Sequence, residues 1–193
     1  MGREFELKYR ATRQAQAALK GEFALRWQEI SMETTYYDTP NRDLGRLRWT
    51  LRSRMENGVA VCTVKTPADD GGRGEWELCC GDIREAIPEL CKLGAPRELL
   101  ALTQSGLEAV CGAKFTRQAA VLKLDDCTVE LALDSGLLLG GEKEMPLCEI
   151  EVEVKEGSEE AAVAFARDLA AKYALTEEKH SKYRRALDLA KGE

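Results

Sequence analysis

Charged and apolar residues alternate near the start of the chain, in a pattern that could place chemically active groups together. Glu4, Glu6 and Lys8 would share one face of a strand, because side chains two apart point the same way. Phe5 and Leu7 would lie on the other face. The charged face would present two carboxylates and an ammonium, groups that bind cations and anions. The simpler alternative is an amphipathic strand whose charges lie in water.

A second stretch with the same period lies near the far end of the chain. Glu149, Glu151 and Glu153 alternate with aliphatic residues up to Val154. Side chains two apart on a strand lie roughly 7 Å from each other. The three carboxylates would therefore repel one another unless a cation, water or a base compensates their negative charge. Two such strands predict a sheet whose apolar face lies under helices and whose charged face lines a cavity.

Length, charge and cysteine usage narrow the class of protein. The 193 residues suit one domain over 1–193, and the net charge of −6 argues against a nucleic-acid partner. No apolar run reaches membrane-spanning length and the first residues do not resemble a signal peptide, so we expect no membrane partner. Seven scattered cysteines without a CxxC spacing favour a reduced, cytoplasmic protein. The single histidine, His180, argues against a zinc site or a histidine triad.

Alternation and turn residues predict eight strands with helices between them. The predicted strands cover residues 3–10, 30–38, 46–54, 59–65, 73–79, 114–123, 127–134 and 145–155. Helices are predicted from Thr12 toward Phe23, over the 83–93 region, over 97–110, from Ser158 and over 181–190. Asn57-Gly58 predicts a hairpin, and residues 136–141 are interpreted as a loop.

Eight antiparallel strands close naturally into a barrel, because closure removes exposed strand edges. We therefore predict an α+β fold: a closed eight-stranded antiparallel β-barrel with a charged interior and α-helices packed on the outside.

The charged stretches, taken in order, resemble a known family. The chain is similar to the CYTH proteins, also called triphosphate tunnel metalloenzymes, and the matches span nearly its whole length. The matching segments are Glu4-x-Glu6-x-Lys8, Tyr36-Tyr37-Asp38-Thr39-Pro40, Leu51-Arg52-Ser53-Arg54, Thr63-Val64-Lys65, Arg73-x-Glu75-x-Glu77, Asp134-Ser135-Gly136, Glu149-x-Glu151-x-Glu153 and Ser181-Lys182. One such motif alone would be weak, but the ordered set is specific.

This resemblance implies a site for a triphosphate and for Mg²⁺ or Mn²⁺. The implied metal ligands are Glu4, Glu6, Glu149, Glu151 and Glu153. The implied substrate-binding residues are Lys8, Arg52, Arg54, Lys65, Arg117 and Lys182, and catalysis is assigned to Glu4, Glu6 and Lys8. Glu75 and Glu77 could pair with bases or bind metal, and Asp134 could orient a base or complete a turn.

One departure concerns the strand that carries Arg117. Many family members have Lys-x-Arg there, but this chain has Lys114-Phe115-Thr116-Arg117, so Lys114 does not share the face of Arg117 without a bulge. This pattern resembles the inorganic triphosphatase branch of the family.

The resemblance leaves several activities open. It implies hydrolysis of inorganic triphosphate, with a nucleoside or thiamine triphosphatase, or a class IV adenylyl cyclase, as alternatives on the same fold. A non-catalytic polyphosphate-binding module is the alternative outside enzymes. The expected partner is a small anionic substrate, and the protein is expected to be a monomer or a homodimer.

Overall fold

A computed structural model describes residues 5–67 and 73–192. The fold is α+β, with nine antiparallel strands in one sheet ordered β5-β4-β3-β2-β6-β7-β8-β1-β9. The strands are β1 (Glu6–Arg10), β2 (Gln28–Asp38), β3 (Thr50–Glu56), β4 (Val59–Pro67), β5 (Arg73–Cys79), β6 (Glu108–Lys123), β7 (Cys127–Gly140), β8 (Lys143–Gly157) and β9 (Thr176–Glu177). The helices are α1 (Arg13–Glu22), α2 (Asp43–Arg46), α3 (Ile83–Lys92), α4 (Glu98–Thr103), α5 (Glu159–Lys172) and α6 (Lys182–Lys191).

The predicted hairpin and helix starts are confirmed. Asn57 and Gly58 join β3 to β4 with φ values of 50° and 88°, the left-handed backbone that a two-residue type I′ turn requires at both positions. Thr12, Ser158 and Ser181 each accept a hydrogen bond from a backbone N–H in the first turn of α1, α5 and α6. These side chains satisfy donors that a helix start leaves without an intrahelical partner.

The described residues form nine strands where eight were predicted, because the short strand β9 pairs with β1. The third strand also begins later than predicted, at Thr50 rather than residue 46. The buried carboxylate of Asp38 accepts hydrogen bonds from the backbone N–H groups of Thr39, Leu44 and Gly45, at 2.8, 3.0 and 3.1 Å. This cap fixes α2 where the alternation had suggested a strand.

The central strands are longer than the sequence suggested. The predicted helix over 97–110 ends at Thr103, and the predicted loop over 136–141 is instead the end of β7 and its turn into β8. Gly136 lies within β7, where a Cβ would come 2.6 Å from the Cβ of Phe115. This glycine therefore serves close packing between strands and not a turn.

The apolar face of the sheet carries most of the helices. Leu131 and Ile150 pack with Leu19 of α1 and Leu169 of α5 in one buried cluster. A second cluster joins α3 and α4 to β3 and β4. Burial of this face is the main favourable contribution to folding.

Helix α6 corrects the prediction that the helices pack on the outside. Ala186 of α6 packs with Met32 and Phe115, and these two residues lie on the sheet face that also carries Arg117 and the cavity. The C-terminal helix therefore covers part of the charged face. Within residues 5–67 and 73–192, no helix is long and apolar enough to cross a membrane.

Candidate active site

The charged face surrounds a cavity of about 340 Å³, lined by residues from each of the eight longer strands and from α6. Its charged lining residues are Glu6 and Lys8 of β1, Arg52, Arg54 and Glu56 of β3, Lys65 of β4, Glu75 and Glu77 of β5, Arg117 of β6, Glu130 of β7, Glu151, Glu153 and Lys155 of β8, and Lys182 of α6. Strands β1 and β5 lie near opposite ends of the strand order, so the sheet must curve for both to reach one cavity.

Most of the residues predicted from the sequence converge on this cavity, but two of those that the structure describes have other positions. Asp134 and Glu149 are fully buried behind its wall, where they contact residues that line it. Glu4 lies outside the described residues.

Arg52, Arg54 and Lys65 form one side of the cavity, which we call the cationic wall. Lys65 Nζ lies 3.2 Å from a carboxylate oxygen of Glu75, and Arg52 contacts the other oxygen of Glu75 at 3.7 Å. Arg54 forms an ion pair with Glu56. Among the described residues, the buried Nε atoms of Arg52 and Arg54 have no hydrogen-bond partner. Guanidinium donors without partners fit the oxygens of a phosphate chain.

Burial and repulsion from Arg52 lower the pKa of Arg54 from its usual value, more than attraction to Glu56 raises it. Two guanidinium groups held side by side at low exposure destabilise each other. An anion bound between them would relieve this repulsion, so the wall is an electrostatic site for a polyanion.

A second charged group, which we call the α6 cluster, joins three acids to three bases. The acids are Asp134, Glu149 and Glu151, and the bases are Arg117, Lys182 and Arg185. The ammonium of Lys182 lies 2.9, 2.7 and 2.6 Å from the three carboxylates in that order. Arg117 forms two parallel hydrogen bonds to Asp134, at 2.8 and 2.7 Å, and also contacts Glu151.

Three members of the α6 cluster, Glu151, Lys182 and Arg117, stay ionised because each faces opposite charge. Burial alone would raise the pKa of Glu151, but attraction to Lys182 and Arg117 outweighs it and lowers this pKa. Burial would likewise lower the pKa of Lys182, but the surrounding carboxylates raise it well above its usual value. The pKa of Arg117 is raised for the same reason, by Asp134 and Glu151. The lysine is therefore a permanent cation at neutral pH.

The acids of the α6 cluster are consistent with binding of a divalent metal ion. Asp134, Glu149 and Glu151 each offer one carboxylate oxygen, and these oxygens lie within 4.8 Å of one another. Carboxylate oxygens are the ligands preferred by hard divalent cations. Because Lys182 already contacts all three, an ion there would share these oxygens with the ammonium or displace it.

A buried amide supports the α6 cluster from the opposite face of the sheet. Gln16 of α1 donates to the backbone carbonyls of Asp134 at 3.0 Å and Glu149 at 2.8 Å. Its own carbonyl oxygen accepts a hydrogen bond from the Ser135 hydroxyl at 2.7 Å. Helix α1 is thereby fixed to the strand positions that hold the acids.

Comparison with known proteins places this arrangement in a family. The family model of the CYTH domain matches residues 2–187. The chain belongs to the CYTH family. A curated relative, the inorganic triphosphatase of Haemophilus influenzae, is 29% identical over 136 residues, which are 69% of this chain but only 39% of that protein.

Solved structures show the same CYTH fold. HpAC1 from Hippeastrum, for which a dominant triphosphatase activity is described, has a TM-score of 0.67 at 17% identity, over 98% of this chain and 96% of that one. The PH1819 protein from Pyrococcus horikoshii OT3 has a TM-score of 0.61 at 21% identity, over 97% and 99% of the two chains.

Several charged residues near this CYTH cavity were not predicted from the sequence. Glu130 shares the strand face of Asp134, four residues earlier, and lies opposite Glu153 in the β7–β8 ladder. The period of two could have found it. Lys155 contacts Glu153 at 2.8 Å and could have been found in the same way. Arg185 is not among the site residues predicted from the sequence, yet its side chain is only 12% exposed.

Lys114 lies off the CYTH cavity, as its spacing predicted. Its ammonium contacts Glu33 at 3.7 Å, and both side chains are largely exposed. Phe115 occupies the neighbouring inward position, where the ammonium of Lys182 lies 5.4 Å from its ring centre. An aromatic ring thus faces the cavity where many family members have a second base.

Proposed function

We propose that this protein is a divalent-metal-dependent triphosphatase that hydrolyses inorganic triphosphate to pyrophosphate and phosphate in the cavity. The observation that supports it best is that the six bases predicted to bind substrate, of which Lys182 belongs to α6, line one cavity together with the acids Glu6, Glu151 and Glu153. We also propose that the curved sheet closes into a barrel and that residues 1–193 form a single domain.

The cationic wall would bind the phosphate chain from one side. Arg52 and Arg54 present planar forks suited to two oxygens each, and Lys65 adds a point charge. Lys8 lies 3.2 Å from Glu6, so its ammonium would link the substrate to the acids of β1. Arg117 and Lys182 would bind from the opposite side.

The donor set suits a divalent metal ion. Glu6, Glu151 and Glu153 line the cavity with hard oxygen donors, and Glu6 lies directly opposite Glu153 in the β1–β8 ladder. Glu149 would take part only by giving up one of its contacts with Lys182 and Arg185. The ligands implied by the family motifs also include Glu4. When bound, Mg²⁺ or Mn²⁺ would neutralise the terminal phosphoryl group and favour ionisation of an attacking water.

The residues of this protein would contribute by holding the substrate and the attacking water in position. The bases would align the phosphate chain of the substrate for in-line attack, and this alignment is most of what phosphoryl transfer requires. Glu6 and Lys8, adjacent on one strand face, would orient the water and the terminal phosphoryl group. Water attacks the terminal phosphorus, the bond to the bridging oxygen breaks, and pyrophosphate leaves with phosphate as the second product.

The direct test is phosphate release from tripolyphosphate with and without Mg²⁺ or Mn²⁺. The proposal expects turnover only with a metal ion, and expects Glu6→Gln and Glu151→Gln to abolish turnover while tripolyphosphate binding stays measurable. A folded protein that binds tripolyphosphate without metal-dependent turnover would instead be a polyphosphate-binding module.

A nucleoside triphosphate is the second candidate substrate, favoured by an apolar part of the lining. Ile30, Met32 and Phe115 face the cavity together with the ring of Tyr183, and a base could pack against them. A substrate panel scored for phosphate, pyrophosphate and cyclic AMP separates hydrolysis of tripolyphosphate from hydrolysis or cyclisation of a nucleotide.

A further inference from the structure

Arg185 lies beside the site without reaching it. It follows Lys182 by three residues on α6, so both side chains lie on the same side of the helix. Its Nη2 contacts Glu149 Oε1, and its Nη1 lies 3.5 Å from Glu178. Arg185 is not among the residues that line the cavity. Its contact with the acids of the α6 cluster is through Glu149.

Glu149 is divided between two cations. Its Oε1 contacts Arg185, and its Oε2 lies 2.7 Å from the ammonium of Lys182. With Arg185 present, three acids face three bases in the α6 cluster. Without it, the same three acids would face only Arg117 and Lys182, and the buried group would carry one surplus negative charge. That surplus would draw the ammonium of Lys182 away from the cavity and repel an incoming polyanion.

Glu178 fixes the position of Arg185 from the other side. Its side chain is buried and accepts hydrogen bonds from Arg10 at 2.5 Å and from the backbone N–H of His180 at 2.8 Å. The backbone N–H of Glu178 donates to the carbonyl of Lys8 at 2.8 Å. The guanidinium of Arg185 is thus held between a carboxylate anchored to β1 and a carboxylate of β8.

We infer that Arg185 is a positioning residue for triphosphate binding, which acts by neutralising Glu149 so that the Lys182 ammonium stays available to the anion. This inference rests on the proposed function. Two cations one helical turn apart on α6 would then contribute to substrate affinity, and of these two only Lys182 would contact the substrate.

The test compares Arg185→Met with Arg184→Met, a matched change at an exposed neighbour that pairs with Asp188. Both variants are assayed with tripolyphosphate and Mn²⁺ well below their melting temperatures. Arg185→Met should raise KM about tenfold, the size expected for one charge several ångströms away in a medium of intermediate dielectric, and should change kcat less. Arg184→Met should leave both constants unchanged.

Two further variants separate charge from structure. Arg185→Lys keeps the charge and should restore KM to near the original value. Arg185→Gln removes the charge but can still donate a hydrogen bond to Glu149; it should match Arg185→Met, and it replaces that variant if Arg185→Met does not fold. A lower melting temperature for Arg185→Met and Arg185→Gln, with KM equal to that of Arg184→Met, would overturn the inference.

Calorimetric binding of tripolyphosphate without metal keeps this test independent of turnover. If the original protein binds tripolyphosphate but releases no phosphate, the proposed function fails. The positioning role of Arg185 is then still decided by whether Kd rises about tenfold in Arg185→Gln and not in Arg184→Met.

Discussion

The cationic wall and the α6 cluster both contain arginine and lysine side chains, but these cations contact fewer carboxylates in the wall than in the cluster. In the wall, Arg52 has a single carboxylate contact among the described residues, at 3.7 Å, and its buried Nε has no hydrogen-bond partner there. In the α6 cluster, Lys182 touches three carboxylates and Arg117 forms two parallel hydrogen bonds to Asp134. A guanidinium with an Nε donor that has no partner, as in Arg52, can still donate to an anion. A cation that contacts several carboxylates first stabilises the folded protein. We therefore expect the cationic wall to lower the stability of the protein while it binds the substrate. We expect the α6 cluster to contribute both to stability and to substrate binding.

The largest effect is expected for Lys182→Met. Removing the ammonium leaves three buried carboxylates facing only two arginines, and breaking a buried charge network of this kind costs about 3–5 kcal/mol. We expect a large drop in melting temperature together with loss of most triphosphatase activity, measured by thermal unfolding and phosphate release. Lys179→Met, at an exposed position of the same segment, should change neither. A Lys182→Met variant as stable as the original would contradict the structural role of the cluster.

Arg52→Met should separate activity from stability. The variant removes a buried cation that repels Arg54 and leaves Glu75 paired with Lys65. We expect kcat/KM for tripolyphosphate to fall about 100-fold, as for loss of one preorganised donor to a transition state, while the melting temperature stays the same or rises. Arg48→Met, at an exposed residue just before β3, is the matched control. A destabilised Arg52→Met would show that the wall and the cluster do not differ as described.

The contrast between wall and cluster also marks what the sequence could predict. The family resemblance implied the roles of Arg52, Arg54 and Lys65. Strand alternation placed Glu151 on a charged face, because a period of two assigns each residue to one face. It could not predict that α6 lies on the charged face. Nothing in the amphipathic pattern of a helix states which of two sheet faces it will cover.

The remaining errors have local physical causes. The backbone N–H groups of Leu44 and Gly45 donate hydrogen bonds to the Asp38 carboxylate, and a helical turn that ends at Arg46 precedes β3. Such local hydrogen bonds between a side chain and the backbone compete with strand pairing. The predicted loop begins at Gly136, although this glycine lies within β7 and admits Phe115 at short range. The burial of Glu178 and Arg185 accompanies contacts with Arg10 of β1 and Glu149 of β8, which are distant in sequence.

The pH dependence of stability sharpens the description of the α6 cluster. The pKa of Glu151 is lowered in the folded state by Lys182 and Arg117 despite burial. Its stabilising contribution is therefore fully present above the unfolded pKa of about 4.3 and is lost as pH falls through the folded value. We expect the melting temperature of Glu151→Gln to fall less steeply between about pH 5 and pH 2 than that of the original protein. Glu142→Gln, in an exposed turn, should keep the original slope, and an unchanged slope in Glu151→Gln would argue against an ionised, paired Glu151.

The smallest expected effect tests whether packing, as well as charge, places α6. Gly140 at the end of β7 lies against this helix, and a Cβ there would come 2.5 Å from the backbone nitrogen of Ala190 and 2.7 Å from the carbonyl oxygen of Ala186. Because backbone atoms cannot rotate away, Gly140→Ala should shift α6 and cost about 1–3 kcal/mol. Since α6 carries Lys182, KM for tripolyphosphate should rise a few-fold. The control is Gly21→Ala in α1, where no atom lies within 4 Å of the added Cβ and where alanine favours the helix. If Gly140→Ala lowers the melting temperature but leaves KM unchanged, the ion pairs of the cluster alone position Lys182, and the close contact at Gly140 contributes only to stability.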